Sequence, residues 1–207
     1  MNIDQVFKEA GDKSIALVRD GAIFYLVLNR PENVFDFDTI AAINACLDEV
    51  EKSTGAACLV TIGSGDKVFS TGFNLKFWAT GVIPQFQSIV LIQEMFDRML
   101  TIGVPTLCVM NGMTIAGGLL FALMHDFRIM KDDPKCFTCL SEINVGLSLT
   151  PAFGAMVKYQ LDPQASRLMM FGGRFGPQDS LKLRVADSKN GLRRWHQRLL
   201  IGQPLRT

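Results

Sequence analysis

Histidine is scarce in this chain, with His125 and His196 the only two among 207 residues. Without a third ligand at metal-binding spacing, the pair gives no reason to expect a metal site. Charge of one sign is missing as well: 21 Lys and Arg stand against 20 Asp and Glu, so no net field draws the chain toward nucleic acid. The balance tips only near the end, where Lys182, Arg184, Lys189, Arg193, Arg194, Arg198 and Arg206 face Asp187 alone. Repeats and low-complexity linkers are absent, which leaves one globular unit. A content of 48% hydrophobic and 20% charged residues excludes disorder and permits a large buried interior.

A secretory signal is not visible either. The opening Met1-Asn-Ile-Asp-Gln-Val-Phe-Lys8 mixes acids with bases and has neither an apolar core nor the Arg-rich, acid-poor character of a transit peptide. Cys46, Cys58, Cys108, Cys136 and Cys139 are odd in number and scattered through apolar segments, which fits a reducing intracellular compartment. Cys136 and Cys139 form a C-x-x-C, but a redox pair is expected at a helix start, and Cys-Phe-Thr-Cys-Leu reads as extended chain. Val104 to Met124 carries no charge and exceeds the roughly 18 residues that suggest a membrane span. Pro105, Asn111, Gly112 and the Gly117-Gly118 pair divide it into a strand, Leu107 to Met110, a turn, and a helix, Leu119 to Met124. A buried strand and a buried helix are therefore expected, not a span.

The chain opens with two apolar runs, Ile15 to Val18 and Ile23 to Leu28, around the turn triplet Arg-Asp-Gly, which predicts a β-hairpin. Asp36 or Asp38 can cap a helix whose apolar residues Ile40, Ile43, Leu47 and Val50 recur at helical spacing. A strand follows at Cys58 to Ile62, then a polar turn, Ser64 to Lys67, and a helical pattern from Gln85 to Leu100. Extended runs at Phe127 to Met130 and Cys136 to Thr138 precede a largely helical stretch from Pro151 to Leu183. Strands separated by helices predict an α/β domain with a largely parallel sheet.

Four segments carry a family resemblance: Phe69-Ser-Thr-Gly-Phe-Asn-Leu75, Asn111-Gly-Met-Thr-Ile-Ala-Gly-Gly-Leu-Leu120, His125-Asp-Phe-Arg128 and Ser141-Glu-Ile-Asn-Val-Gly-Leu147. In order and spacing they resemble the crotonase (enoyl-CoA hydratase/isomerase) superfamily, over about Ile15 to Asp187. The resemblance implies a ββα superhelix, a spiral core over residues 1–188, with a shortened and atypical C-terminal helical region at 189–207. It also implies an oxyanion hole made by the main-chain amides of Phe73 and Gly117, and substrate contacts along Ser70, Thr71, Gly72, Phe73, Asn74 and Leu75 and at Gly117 and Leu120. Glycines at 72, 117 and 118 would let backbone approach a ligand, and free N–H groups at a helix start suit a developing anion. Taken alone, the same glycines serve tight turns and close packing.

Family hydratases carry two glutamates; here Leu120 stands at the first position and Glu142 at the second. One carboxylate suits proton transfer better than hydration, which needs two positioned groups. The pattern is similar to the delta3,delta2-enoyl-CoA isomerases of fatty acid β-oxidation, with Glu142 as the proton carrier. Apolar neighbours Leu120, Ile143 and Leu147 are expected to raise its pKa. A merely structural Glu142, ion-paired with Arg128, is the plain alternative. Hydration, thioester hydrolysis and an inactive CoA-binding or assembly role are the other functional readings.

The resemblance further implies no cofactor beyond the coenzyme A of the substrate, a homotrimer or hexamer, and a packing role for His125. A peroxisomal or mitochondrial location follows from the subgroup, with the cytoplasm as the alternative, since Leu205-Arg-Thr207 is no Ser-Lys-Leu address. Lys67, Lys76 and Arg30 are candidates for the CoA phosphates, and Asn74 stands where the family often has Asp. The tail from Lys189 to Thr207 matches nothing in the family, so the missing cover over the acyl pocket is expected to weaken activity, favour aggregation, or call for a partner.

Overall fold

Residues 2–189 are described by a computed structural model, and the candidate tail beyond Lys189 lies outside them. The chain begins with α1 (Ile3–Ala10), whose first turn is closed by the Asn2 side chain accepting from the Gln5 amide at 2.9 Å. The hairpin follows as β1 (Ile15–Asp20) and β2 (Ile23–Leu28). Next come β3 (Val34–Phe35) and α2 (Phe37–Glu51), and it is Asp36 that caps α2, accepting from the Thr39 amide at 3.0 Å.

From there one pattern recurs: a strand, a second strand, then helix. The first turn holds β4 (Cys58–Gly63), β5 (Val68–Ser70), β6 (Gly72–Phe73), α3 (Leu75–Trp78) and α4 (Val82–Thr101). The second holds β7 (Thr106–Met110), β8 (Met113–Ile115) and α5 (Gly117–Leu123). The third holds β9 (Phe127–Met130), β10 (Thr138–Cys139), a 3-10 turn at Glu142–Val145 and α6 (Pro151–Gln160). The chain then runs through α7 (Pro163–Met170), α8 (Pro177–Lys182) and β11 (Ser188–Lys189). First strands build one six-stranded sheet in the order β1-β2-β4-β7-β9-β11, parallel from β2 onward, and second strands build a three-stranded sheet, β10-β8-β5. This is the ββα superhelix that the sequence led us to expect.

Both faces of the large sheet are covered, so its strands read as continuous apolar runs instead of alternating ones. Phe24, Leu26 and Leu28 of β2 point into the main core with Ile43 and Leu47 of α2 and Ile92 and Phe96 of α4. Tyr25 and Val27 point the other way, into a second core with Val60, Leu107, Ile129 and the Val6 of α1. The segment read as a turn after β7 instead supplies β8. Gly112 makes this possible, because a Cβ there would lie 2.6 Å from the Val68 nitrogen. No helix among the described residues is long and apolar enough to cross a membrane.

His125, just after α5, is fully buried. Its Nδ1 donates to the Phe121 carbonyl at 3.0 Å, so its Nε2 accepts from the Thr61 hydroxyl at 2.8 Å. Burial pushes its pKa down to about 4 from the ordinary 6.5. The unfolded chain therefore takes up this proton first, and the contribution of neutral His125 is present above pH 6.5 and lost as pH falls toward 4. We expect the unfolding free energy of wild type, measured by urea titration, to fall across that window by up to about 3 kcal/mol more than that of His125→Gln. Equal acid sensitivity of the two proteins would count against it.

Candidate active site

Two glycine contacts bring the first two motifs together. Gly72 has φ +85°, and a Cβ on it would lie 2.4 Å from the Gly117 nitrogen; a Cβ on Gly118 would lie 2.4 Å from the Ser70 carbonyl oxygen. No real Cβ fits either place, so β5 and β6 rest directly on the start of α5. Ala116 holds the turn into α5 at φ +51°, with its amide donating to the Cys139 carbonyl at 2.8 Å. The Gly117 N–H, in the first turn of α5, has no carbonyl four residues back within that helix. The Phe73 ring lies over Gly117, where an added Cβ would come 2.5 Å from its Cε1. That ring stacks on Trp78 with centroids 5.0 Å apart and leans on Phe153 at 5.8 Å.

The Ala116–Cys139 bond also ties α5 to β10, and β10 leads into the 3-10 turn that starts with Glu142. Gly146 ends that turn at φ +72°, and the Leu147 amide donates to the Glu142 carbonyl at 2.9 Å. The Glu142 side chain is turned inward. It is 7% exposed, and neither carboxylate oxygen has a hydrogen-bond partner among the described residues; the buried Trp78 Nε1 is likewise unpartnered. Burial pushes the Glu142 pKa above its ordinary 4.5, since desolvation disfavours the charged form. Arg128 is not its partner. That guanidinium donates to the carbonyls of Val185 at 2.9 Å and His125 at 2.8 Å, and it lies 3.8 Å from Asp187.

Glu142 borders two cavities. One, of about 420 Å³, is shared with Phe73, Trp78, Ile89, Leu147 and Phe153. The other, of about 690 Å³, is lined by Leu140, Ile143, Leu149, Ala155 and Met170 among others. Residues Leu147 to Pro151 wall both, and the Gln93 amide fastens that segment by donating to the Thr150 hydroxyl at 2.8 Å.

Of the residues assigned from the sequence, Phe73 and Glu142 line a common cavity and Gly117 lies directly beneath the Phe73 ring. Ser70 and Leu120 do not reach either cavity. Ser70 is fully buried with its hydroxyl on the Asn33 carbonyl at 2.7 Å, and Leu120 is fully buried in the core, because α5 is enclosed on every side. Asn74 does the capping work of an Asp, its Oδ1 accepting from the Phe77 amide at 3.1 Å. The Thr71 hydroxyl donates to the Glu32 carbonyl at 3.3 Å, and Leu75 is 49% exposed. Arg30 is engaged with Asp36 at 2.7 Å, whereas Lys67 and Lys76 are exposed. Lys67 borders a separate cavity with Asp66, Asp133 and Lys135. Sequence reading missed Trp78, Ile89, Gln93 and Phe153. Their only signal was an aromatic shortly after Phe73 and helical faces of α4 and α6, none of which names a cavity wall. All five cysteines are free, and Cys136 and Cys139 are both buried.

A sequence profile of the enoyl-CoA hydratase/isomerase family matches residues 19–188. The peroxisomal enoyl-CoA delta isomerase 2 of Arabidopsis thaliana is 32% identical over 183 residues, which is 83% of this chain and 75% of that protein. The crotonyl-CoA hydratase of Syntrophomonas wolfei is 28% identical over 145 residues, 69% of this chain and 54% of that one. Among solved structures, an enoyl-CoA hydratase from Mycobacterium marinum superposes with a TM-score of 0.83 at 21% identity, covering 93% of this chain and 86% of its own.

Proposed function

The chain belongs to the enoyl-CoA hydratase/isomerase family of the crotonase superfamily, and from that membership we propose that it is an enoyl-CoA delta isomerase of fatty acid metabolism. The observation that carries this reading is a single buried carboxylate: Glu142 lines both cavities, while Leu120, at the place of the first family glutamate, is closed into the core. Glu142 takes a proton from C2 of a 3-enoyl thioester. The electron pair moves onto the thioester oxygen to give a dienolate, held by the Phe73 and Gly117 amides, and the same carboxylic acid returns the proton at C4. The double bond thereby moves from position 3 to position 2, with no net gain or loss of atoms. A raised carboxyl pKa favours a group that must act as base and then as acid. Each amide is worth about 100-fold to 1,000-fold in rate.

The test is to incubate the protein with 3-enoyl-CoA and with 2-enoyl-CoA, following conjugation and hydration separately. Conjugation of the first without hydration of the second is expected. Hydration without migration would replace this reading with that of the hydratase relatives, and thioester binding without either reaction would point to an inactive binding protein.

The pH profile follows from the burial of Glu142. The base must be ionised, and its pKa lies above 4.5, so kcat/KM is expected to fall on the acid side with a midpoint above the usual carboxylate range. An acid limb at or below 4.5 would contradict the buried base.

Assembly into a homotrimer or hexamer belongs to the same proposal. Val82, Ile83 and Phe86 on α4, exposed at 79%, 71% and 66%, support it, and light scattering measures it directly. A peroxisomal location is proposed by analogy with the Arabidopsis relative's name.

A further inference from the structure

The aim of the Phe73 amide is set by a residue that touches no substrate. This inference rests on the oxyanion role given to that amide above. Ser70 is fully buried and lines no cavity, yet its hydroxyl is used twice: it donates to the Asn33 carbonyl at 2.7 Å and accepts from the Gly72 amide at 3.1 Å. Asn33 is itself fixed from several sides. It is 2% exposed, its Oδ1 accepts from the Arg30 amide at 2.7 Å, and its Nδ2 donates to the Phe69 carbonyl at 2.8 Å. It holds φ +45°, a left-handed conformation that only Ala116 and Arg184 share among the described non-glycine residues. Such a conformation is retained in a folded chain where surrounding contacts over-determine it.

The residue that needs this fixing is Gly72. Close contact with Gly117 demands a glycine there, and glycine is the residue with the least intrinsic restraint on its own backbone. The peptide linking Gly72 to Phe73 would therefore turn easily, carrying the Phe73 N–H with it. On one side it is restrained by the two-residue pairing of β6 with β3, Val34 opposite Gly72 and Phe35 opposite Phe73. On the other side the Ser70 hydroxyl holds the Gly72 amide. We propose that Ser70 is a positioning residue for the Phe73 main-chain amide, tying the Gly72 N–H, one peptide before the donor, to the fixed carbonyl of Asn33. A donor of this kind must be held within about 0.5 Å and 10–20° of its working geometry. A mis-aimed one forfeits part of its roughly 100-fold to 1,000-fold effect.

The readout is the carbonyl stretch of a bound saturated acyl-CoA labelled with ¹³C at the thioester carbon, which cannot react and reports polarisation by the two amides. Wild type is expected to shift the stretch to lower frequency than the free thioester. Ser70→Ala should lose most of that shift and lower kcat at least about 10-fold, with KM changed less than about threefold. Asn33→Gly keeps the carbonyl that Ser70 uses and adopts the same φ readily but gives up the side-chain bonds that fix it, so it should melt earlier and lose less of the shift than Ser70→Ala. Should Ser70→Ala not fold, Ser70→Cys, with a weaker donor and acceptor in the same space, should give an intermediate shift. A wild-type shift in Ser70→Ala or Ser70→Cys overturns the positioning role, as does an equal loss in Asn33→Gly. A wild type without any shift overturns the amide pair and the positioning role with it.

Discussion

Glu142→Gln is expected to lower double-bond migration by about 100-fold to 10,000-fold while leaving the fold intact. The change keeps the shape of the side chain and removes its ability to carry a proton. Among the described residues no other carboxylate or imidazole lines either cavity to replace it. The same substitution should stabilise the protein, and the sign can be worked out. The folded-state pKa of Glu142 is raised by burial, so its favourable contribution is complete below the unfolded pKa and is lost as pH rises through the folded one. Above the folded-state pKa wild type therefore bears the cost of an ionised carboxylate without a partner among the described residues, and the variant does not. Unfolding midpoints of the two proteins should draw together in acid and separate, in favour of Glu142→Gln, as pH rises. A variant that keeps more than a tenth of wild-type turnover would move the base elsewhere, whatever its stability.

The second large effect belongs to Gly72→Ala. The added carbon would lie 2.4 Å from the Gly117 nitrogen and 2.9 Å from the Gly118 nitrogen, at a φ of +85°. Both obstacles are backbone, so no side chain can swing aside. Overpacking costs about 1–3 kcal/mol and a left-handed L-residue about 1–2 kcal/mol more, a substantial part of the margin of about 5–15 kcal/mol that domains possess. The gap that opens would part the Phe73 and Gly117 amides, so turnover should be lost even in the fraction that stays folded. Gly11→Ala is the comparison. It also sits at positive φ, +59°, but an added Cβ meets nothing within 4 Å, so only the conformational cost remains. If the two variants melt together, the close contact between β6 and α5 is not what Gly72 serves.

Elements held by a local pattern were legible in the sequence, and elements held by distant backbone were not. The hairpin, α2 with its cap narrowed to Asp36 or Asp38, and β9 all declare themselves through turn residues, helical spacing or an apolar run. Strands β3, β6 and β8 are two or three residues long, too short for any period to show, and they exist because a neighbour's backbone lies alongside. The helix α1 was passed over because only Val6 and Ala10 in it are buried. In the candidate site, paired glycine motifs pointed to Phe73 and Gly117, and the segment Ser141 to Leu147 to Glu142, by resemblance. Side-chain direction was the part that spacing could not supply: Leu120 and Ser70 stand in the right stretch of chain but face the interior. Asn33 gave no signal at all, since a lone left-handed asparagine is visible only once the chain is folded.

The coil of strand, strand and helix has one last implication. Phe73, Gly117 and Glu142 belong to three consecutive windings of it, and in the proposed mechanism each winding contributes a single participant. Under that mechanism a chain wound only through its hairpin and the first two windings would lack Glu142 and would be inert. Catalysis, and not compactness, is then the gauge of whether the last winding has closed, and for any variant the two quantities can be measured apart.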